Sequence, residues 1–391
     1  MSRRPRLLVV ASTFPASAED GTPAFVRDLA AFQAREFDTE VLVPQVRGGQ
    51  PVENVNGMTV RRFRYFPRRW EDLAHGAIIE NLRTKKSRWL QVPPFFLSEI
   101  IALRRAVRRH RPDVVHVHWM IPQGVSALLA ARKVPWVVTT LGGDVYALKD
   151  PVSRRLKRAV LRRASAVTTM NEDMRQRLID LGADADTTTV LPMGADVDTI
   201  RAAGAGVDRE PGRIMFVGRL VEKKGAAVLL TALRALADLP GWQLDVIGDG
   251  PLRAELERQA QGLPVTFHGQ AGRAQLAAVY ARAQIAVFPS KAAASGDQDG
   301  LPVALLEAMS AGPVVVASRI PGIDAAVVDR ESGVLVAPDD ADALAGVLRE
   351  LLGDAGLRER LSAGGTRRAQ EFSVDALGAR YCALLHEVAG R

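Results

Sequence analysis

Only one cysteine, Cys382, occurs in 391 residues. That rules out an internal disulfide framework and fits a reducing compartment. Long apolar runs are also missing: no stretch reaches the ~18 residues that cross a bilayer. The basic start, Arg3, Arg4 and Arg6 before Leu7-Leu8-Val9-Val10-Ala11, imitates a secretory signal. Its apolar part is shorter than the ~7–15 residues such a signal uses, and it reads as a first buried strand. No Gly-x-Gly-x-x-Gly follows a strand with a downstream acid for a ribose, which argues against a dinucleotide dehydrogenase. No recognised nucleic-acid motif accompanies the basic residues. What is left, 47% hydrophobic and 25% charged, is the composition of an ordinary soluble protein with room for two or three domains. The expected location is cytoplasmic.

Short β-rich runs alternate with helical patterns. Arg6–Ser12, Glu40–Val43, Val114–His118, Trp136–Leu141 and Ala166–Met170 read as buried strands, with helices such as Phe25–Arg35 and Leu97–Arg109 between them. Such alternation predicts a parallel sheet covered on both faces. The pattern breaks at Thr199–Arg213, rich in Ala, Gly and charge. It then restarts with Arg213–Val217, Gln243–Ile247, Val265–Phe267, Ile285–Phe288, Val314–Ala317 and Gly333–Val336. The reading is α/β: two Rossmann-like, doubly wound domains facing each other across a cleft. The expected boundaries are an acceptor-side domain over 1–198, a linker over 199–212 and a donor-binding domain over 213–372, with a last helix, 373–391, returning to the first domain. Ligands of such sheets bind beyond the carboxyl ends of the strands, so function is expected on the loops that follow strands.

Three such loops lie in the second half. In Met215-Phe-Val-Gly-Arg-Leu-Val-Glu-Lys-Lys-Gly225, Gly218 permits a tight turn. Arg219 and Lys224 then stand where a diphosphate can meet backbone N–H groups and a helix start; the plainer alternative is a strand end with solvated cations. Gly248-Asp-Gly-Pro251 reads as a turn and helix start. The longest runs from Phe288 to Ala317. A polar loop carrying Asp299 precedes a helix that begins near Pro302 and ends at Gly312-Pro313. The N–H groups of Gly300, Leu301 and Val303, Pro302 having none, can hold phosphate or sugar hydroxyls. Glu307, eight residues after Asp299, offers two acceptor oxygens to the two donors of a ribose diol. The plainer alternative makes Asp299 a helix cap and Glu307 a solvated residue, although an unpartnered carboxylate in the apolar Val303–Met309 segment is costly to bury.

These residues resemble the acidic pair, with seven residues between its members, of the retaining glycosyltransferases of family 4, which have the GT-B fold. Gly218-Arg219, Lys223-Lys224-Gly225, Gly248-Asp249-Gly250-Pro251 and Gly312-Pro313-Val314-Val315 resemble that family's other motifs, in order. The resemblance covers nearly the whole chain. It implies that Arg219 and Lys224 hold a donor diphosphate, that Glu307 holds the ribose, and that Asp299, where the family usually has Glu, contacts the transferred sugar.

In the first half, Gly21 sits in the loop after the first strand, where glycine lets a backbone approach a ligand. The family often has two adjacent glycines there; this chain has Gly21-Thr22. His118 closes the strand Val114–His118, and alternation puts His116 on the same face. Two histidines without a third ligand make a poor metal site. The resemblance favours His118 as a contact to sugar hydroxyls or the leaving phosphate, against the alternative of a satisfied strand-end histidine. Asp144, in Leu141-Gly-Gly-Asp144, matches a family loop that commonly begins with His, and is a candidate acceptor or sugar contact.

The net charge is +8, and the basic excess lies within residues 1–200. It gathers at Arg61–Arg64, Arg68-Arg69-Trp70, Arg83–Trp89, Arg154–Arg163, and on one face of Leu97–Arg109 through Arg104, Arg105, Arg108 and Arg109. Basic faces with interleaved Trp suit an anionic membrane surface or an anionic acceptor, or are simply solvated. The expected reaction moves a hexose-type sugar from a nucleotide sugar to a glycan or lipid-linked acceptor in cell-surface polysaccharide or glycoconjugate synthesis. The expected location becomes cytoplasmic and peripheral on the inner face of the membrane. No cofactor or metal is expected: Asp297-Gln-Asp299 has the spacing of a metal motif, but Asp184-Ala-Asp186 and Asp196-Val-Asp198 share it. Rival readings are a sugar-nucleotide epimerase of the same fold and a non-catalytic nucleotide-sugar-binding protein. The donor base, the sugar and the linkage are not legible.

Overall fold

The computed structural model describes residues 3–17, 20, 22–76 and 78–390. Contacts divide the chain into two units, one of Met1–Gly194 with Leu377–Arg391, the other of Ala195–Ala376.

The first unit is built on a sheet of β1 (Arg6–Val10), β2 (Asp38–Pro44), β3 (Val52–Val55), β4 (Met58–Phe63), β5 (Val114–His118), β6 (Trp136–Thr139), β7 (Ala166–Thr169) and β8 (Thr188–Val190). The order is β3-β4-β2-β1-β5-β6-β7-β8. All neighbours are parallel except β3 and β4. These two form a hairpin that strand-by-strand reading of apolar runs passes over. Its turn, Asn56-Gly57, has both residues at positive φ, 50° and 77°, which matches the twist of two-residue hairpins. The central strands are buried throughout. Leu8, Val10, Val115 and Val117 point into one core cluster, while Leu7, Val9 and Val114 are equally buried on the other side. From Leu377 on, the last helix (Val374–Gly390) belongs to this unit. Its Tyr381 hydroxyl donates to Leu191 O at 2.7 Å.

The second unit has β9 (Arg213–Val217), β10 (Gln243–Ile247), β11 (Val265–Gly269), β12 (Ile285–Phe288), β13 (Val314–Ser318) and β14 (Val334–Val336). The order is β11-β10-β9-β12-β13-β14, all parallel. Ile214 and Phe216 enter one core cluster and Met215 the other, so helices cover both faces, as parallel pairing requires. The unit begins earlier than composition suggests. Residues 199–203, expected to open a linker, belong to the helix Val197–Ala203. Asp196 caps it by accepting from Thr199 N, and Val197 and Ile200 are buried in the second unit's core. The Arg209 guanidinium then ties the following segment down, donating to Ala283 O at 2.6 Å and Ala311 O at 2.7 Å.

Each sheet has one place where successive connections leave in opposite directions. In the first unit it lies between β1 and β5, in the second between β9 and β12. Open parallel sheets bind ligands at these points.

Candidate active site

At the switch point of the second unit, the loop after β9 carries Arg219 and Lys224, and the loop after β12 carries Asp299. The two loops are held together by one main-chain bond and one to a side chain. Lys291 N donates to Lys223 O at 2.9 Å, and Ala294 N donates to Glu222 Oε1 at 3.0 Å. Gly225 makes this possible. Its φ is +67°, and a Cβ there would stand 1.8 Å from Pro289 O. On the other side Gly248, at φ +132°, lets β10's end approach Gly218, whose O would lie 1.9 Å from a Cβ. Gly225→Ala therefore combines left-handed strain with forced separation of the loops. We expect a stability loss of at least ~2 kcal/mol, read as a lowered urea midpoint at unchanged m-value.

Lys224 Nζ lies 2.8 Å from Asp299 Oδ2, and Lys223 Nζ lies 3.7 Å from Asp299 Oδ1 and 3.2 Å from Asp297 Oδ2. Ser290 Oγ donates to Asp299 Oδ2 at 3.1 Å. Burial opposes ionisation of Asp299, but Lys224 and Lys223, with hydrogen bonds from Lys224 and Ser290, outweigh it and hold its carboxyl below the usual range. Asp299 is therefore a carboxylate at neutral pH and a partner of Lys224. It is not a helix cap. The following helix, Val303–Ala311, starts four residues later, with Pro302 at the cap position and no side-chain cap bond.

That helix follows directly on the loop that carries Asp299. Its opening N–H groups have no acceptor within the helix. Leu305, Leu306, Ala308 and Met309 are buried, whereas Val303, Ala304 and Glu307 form a half-buried stripe. Glu307 is thus one turn from the helix start and on its open side, not sunk in apolar surroundings. The Tyr280 hydroxyl donates to Glu307 Oε2 at 3.0 Å. Burial first, and the Glu307 charge second, push the Tyr280 phenol well above its ordinary value, so it stays a donor and fixes the carboxylate. Arg219 is half-buried immediately beyond β9, beside Gly218, and Gly300 and Pro302 are buried in the loop before the helix. Arg219, Lys224, Asp299, Gly300, Leu301 and Pro302 therefore belong to the two loops that flank one switch point, and Val303 and Glu307 to the helix that follows the second of them.

In the first unit, His118 ends β5 and is buried, its ring 4.2 Å from that of His116. Its Nδ1 has no hydrogen-bond partner. Burial, then the neighbouring His116, push its pKa well down, so it acts as a neutral imidazole and not as a cation. Beneath it, His116 Nδ1 meets Gln33 Nε2 at 3.0 Å and His116 Nε2 meets Thr139 Oγ1 at 2.8 Å. Both ring nitrogens are engaged, which leaves no lone pair for a metal. Thr139 bonds Thr168 at 2.7 Å, and Thr168 bonds the Tyr381 hydroxyl at 3.1 Å. Burial takes the His116 pKa down to about 3.

Asp144 differs from its expected role. It is 2% exposed. Its Oδ1 accepts from Leu141 N and its Oδ2 from Met120 N, each at 2.9 Å. It staples the loop after β5 to the loop after β6 and presents no open oxygen to a sugar. Gly21 lies outside the described residues. Beside it, Asp20 organises the loop by accepting from Ala16 N and Thr22 N. Lys223, Tyr280, Ser290 and Asp297 are additions to the residues expected. Of these Lys223 carries a signal in the sequence, its place next to Lys224, and Asp297 one that points to a metal motif instead, its spacing from Asp299.

Two family models tile the chain. Residues 20–194 match a glycosyl transferase 4-like domain and residues 211–354 match the glycosyl transferases group 1. The chain belongs to glycosyltransferase family 4. Its relatives include a D-inositol 3-phosphate glycosyltransferase of Geodermatophilus obscurus, 31% identical over 340 residues that cover 76% of this chain and 73% of that one. A glycogen synthase of Mycobacterium tuberculosis is 30% identical over 280 residues, 68% of this chain and 66% of the relative. Among solved structures, sucrose-phosphate synthase of Thermosynechococcus elongatus superposes with a TM-score of 0.77 at 21% identity, covering 98% of this chain and 99% of that one. The Anabaena protein HepE, solved with UDP and glucose, gives 0.71 at 16% identity, over 98% and 99%. This glycosyltransferase thus has the GT-B fold, and the acid pair and basic loop of its second unit lie inside the group 1 match.

Proposed function

We propose that the chain is a retaining hexosyltransferase that moves a sugar from a nucleoside-diphosphate sugar to a glycan or lipid-linked acceptor, in cytoplasmic assembly of polysaccharide or glycoconjugate. The observation that carries this reading is the placement, after the two strands that flank one switch point, of cations suited to a diphosphate (Arg219, Lys224) and a carboxylate suited to a diol (Glu307). Structural neighbours solved with UDP, UDP-glucose or a UDP-fluoroglucose support a nucleotide-sugar donor. The proposed roles follow from the charges. Arg219 and Lys224 stabilise the negative charge that grows on the departing diphosphate, where preorganised cations lower the barrier most. Glu307, steadied by Tyr280, orients the ribose. The N–H groups ahead of and within the first turn of the 303–311 helix hold phosphate or sugar oxygens. His118 donates or accepts one hydrogen bond at the acceptor side. With the positive charge supplied by side chains, no metal is required. The diphosphate accepts the incoming hydroxyl's proton in a front-face substitution, so the anomeric configuration is kept.

The test is a screen of nucleotide sugars for thermal stabilisation, followed by NMR of the product formed by the best binder with acceptor present. Nucleoside diphosphate release with a retained anomeric configuration is expected. An altered sugar still linked to nucleotide, formed without acceptor, would instead reveal an epimerase, and binding without release a non-catalytic protein.

A further inference from the structure

Two of the basic clusters of the first unit, at 61–64 and 83–89, are largely neutralised within it. Arg61 pairs with Glu40 at 3.1 Å, Arg62 with Glu53 at 2.9 Å, Arg64 with Glu71 at 3.2 Å and Arg88 with Asp72 at 3.0 Å. Arg109 pairs with Glu40. Among the described residues, Arg104, Arg105, Arg108, Arg132 and Lys133 take part in no ion pair. Four of these five line one open groove of about 250 Å³, Arg104, Arg108, Arg132 and Lys133, over Leu129 and Val134, and no acidic residue is among those described that line it. The groove continues an apolar ribbon. Leu90 and Leu97 are 72% and 61% exposed, Trp89 is 59% exposed, and Ile101 is exposed as well. Leu90 lies in the turn that leads into the helix Val92–His110. Positions 93, 97, 101, 104 and 108 are three or four apart, so they share one face of this helix, and Leu90 precedes them in the turn. The opposite face holds the buried Phe95, Leu103 and Ala106.

A run of exposed large apolar side chains leading into unpaired cations is not a solvated face, which would have no exposed leucines or tryptophan in sequence. We infer that this face docks on an anionic lipid surface, Trp89, Leu90, Leu97 and Ile101 entering the headgroup boundary and the Arg104–Lys133 groove holding lipid phosphates. Charge complementarity selects this occupant over an apolar protein partner. The basic helix Pro151–Arg163 is a poorer surface: Val152 is its exposed apolar residue, and Lys157 is buried against Ala147 O at 2.6 Å. The lipid face is also placed for use. Glu99, on the same helix, accepts from Gln123 Nε2 at 3.0 Å, five residues beyond His118. The apolar end of the ribbon therefore lies near the strand ends where the acceptor is proposed, and the link to a lipid-linked acceptor rests on that reading.

Sedimentation with vesicles of phosphatidylcholine alone, and of phosphatidylcholine mixed with phosphatidylglycerol, tests the surface. The full chain is expected to bind the mixed vesicles and to lose that binding as salt is raised. Arg104→Gln with Arg108→Gln should weaken binding by about fivefold per charge, and Leu90→Ser with Leu97→Ser by on the order of tenfold per residue. Arg154→Gln with Arg155→Gln should bind nearly as the parent does. Equal binding to both vesicle types, equal loss in the 154/155 variant, or no loss in the other two would overturn the assignment. So would a Leu97-dependent dimer with no vesicle binding, which would give the face to a second copy. Nucleoside diphosphate affinity, measured by calorimetry on the same preparations, should not change. A failure here is therefore separable from a failure of the donor reading.

Discussion

Lys224→Met is expected to lower kcat by two to three orders of magnitude while the protein stays folded. The size follows from where the ammonium stands, since one preorganised group facing developing charge contributes about 2.7–4 kcal/mol to the barrier. Donor affinity should fall less than kcat, because the diphosphate's charge is greatest as the sugar departs. The cost in stability has to be weighed, since Lys224 is 2.8 Å from Asp299. Breaking a buried ion pair commonly costs about 3–5 kcal/mol when the survivor is stranded. Asp299 is not stranded: Lys223 remains at 3.7 Å and Ser290 at 3.1 Å. A loss nearer ~1.5 kcal/mol is expected, at the low end of the range of a charge-assisted hydrogen bond and smaller than the catalytic effect. Single-turnover kinetics with saturating donor, together with a thermal melt, check both. A variant with parental kcat would remove Lys224 from the proposed chemistry. The parent pair also has a pH signature. Since the Asp299 carboxyl is held below its ordinary value, its contribution to stability is complete above a pH of about 4 and is lost as pH falls through the lowered value.

Glu307→Ala should reduce kcat/KM by about three orders of magnitude or more, through loss of two charge-assisted hydrogen bonds of about 1.5–3 kcal/mol each. A deoxyribose donor supplies the internal comparison. With one hydroxyl missing, the parent should lose part of this factor and the variant little. Glu307→Ala also deprives the Tyr280 hydroxyl of its acceptor at 3.0 Å. Glu307→Ala with Tyr280→Phe therefore separates stability from binding: it should recover folding stability but not activity. Parental activity in Glu307→Ala would sink the ribose assignment.

The parallel strands are legible in the sequence because each central strand is a continuous apolar run between glycine-rich turns. β8 is not, because Thr188–Val190 is short and half polar. The β3–β4 hairpin escapes a search for buried runs although Asn56-Gly57 announces it, since its strands alternate polar with apolar and look like loop. In the site, Arg219, Lys224, Asp299 and Glu307 can be found because each stands on a loop or helix that follows a strand. Tyr280 cannot. It comes from the helix Arg273–Arg282, and only the packing of that helix on 303–311 brings it to Glu307. Asp144 misleads for a related reason: its partners are two backbone N–H groups, and backbone donors leave no trace in a residue pattern. Composition also overstates the burial of Glu307, because the helix around it is apolar overall but not on every face.

The return of the last helix to the first unit affects the order in which the protein assembles. The second unit is one uninterrupted segment, Ala195–Ala376, so it can fold as soon as that stretch has left the ribosome. The first unit is synthesised earlier but stays unfinished until residues 377–390 have followed the whole of the second. Until Tyr381 arrives, the hydroxyl of Thr168 and the carbonyl of Leu191 lack the group that closes their hydrogen-bond chain to His116. The unit whose synthesis starts first is completed after the other, and the histidine beneath the acceptor edge gains its full set of connections only once the helix Val374–Gly390 has been made.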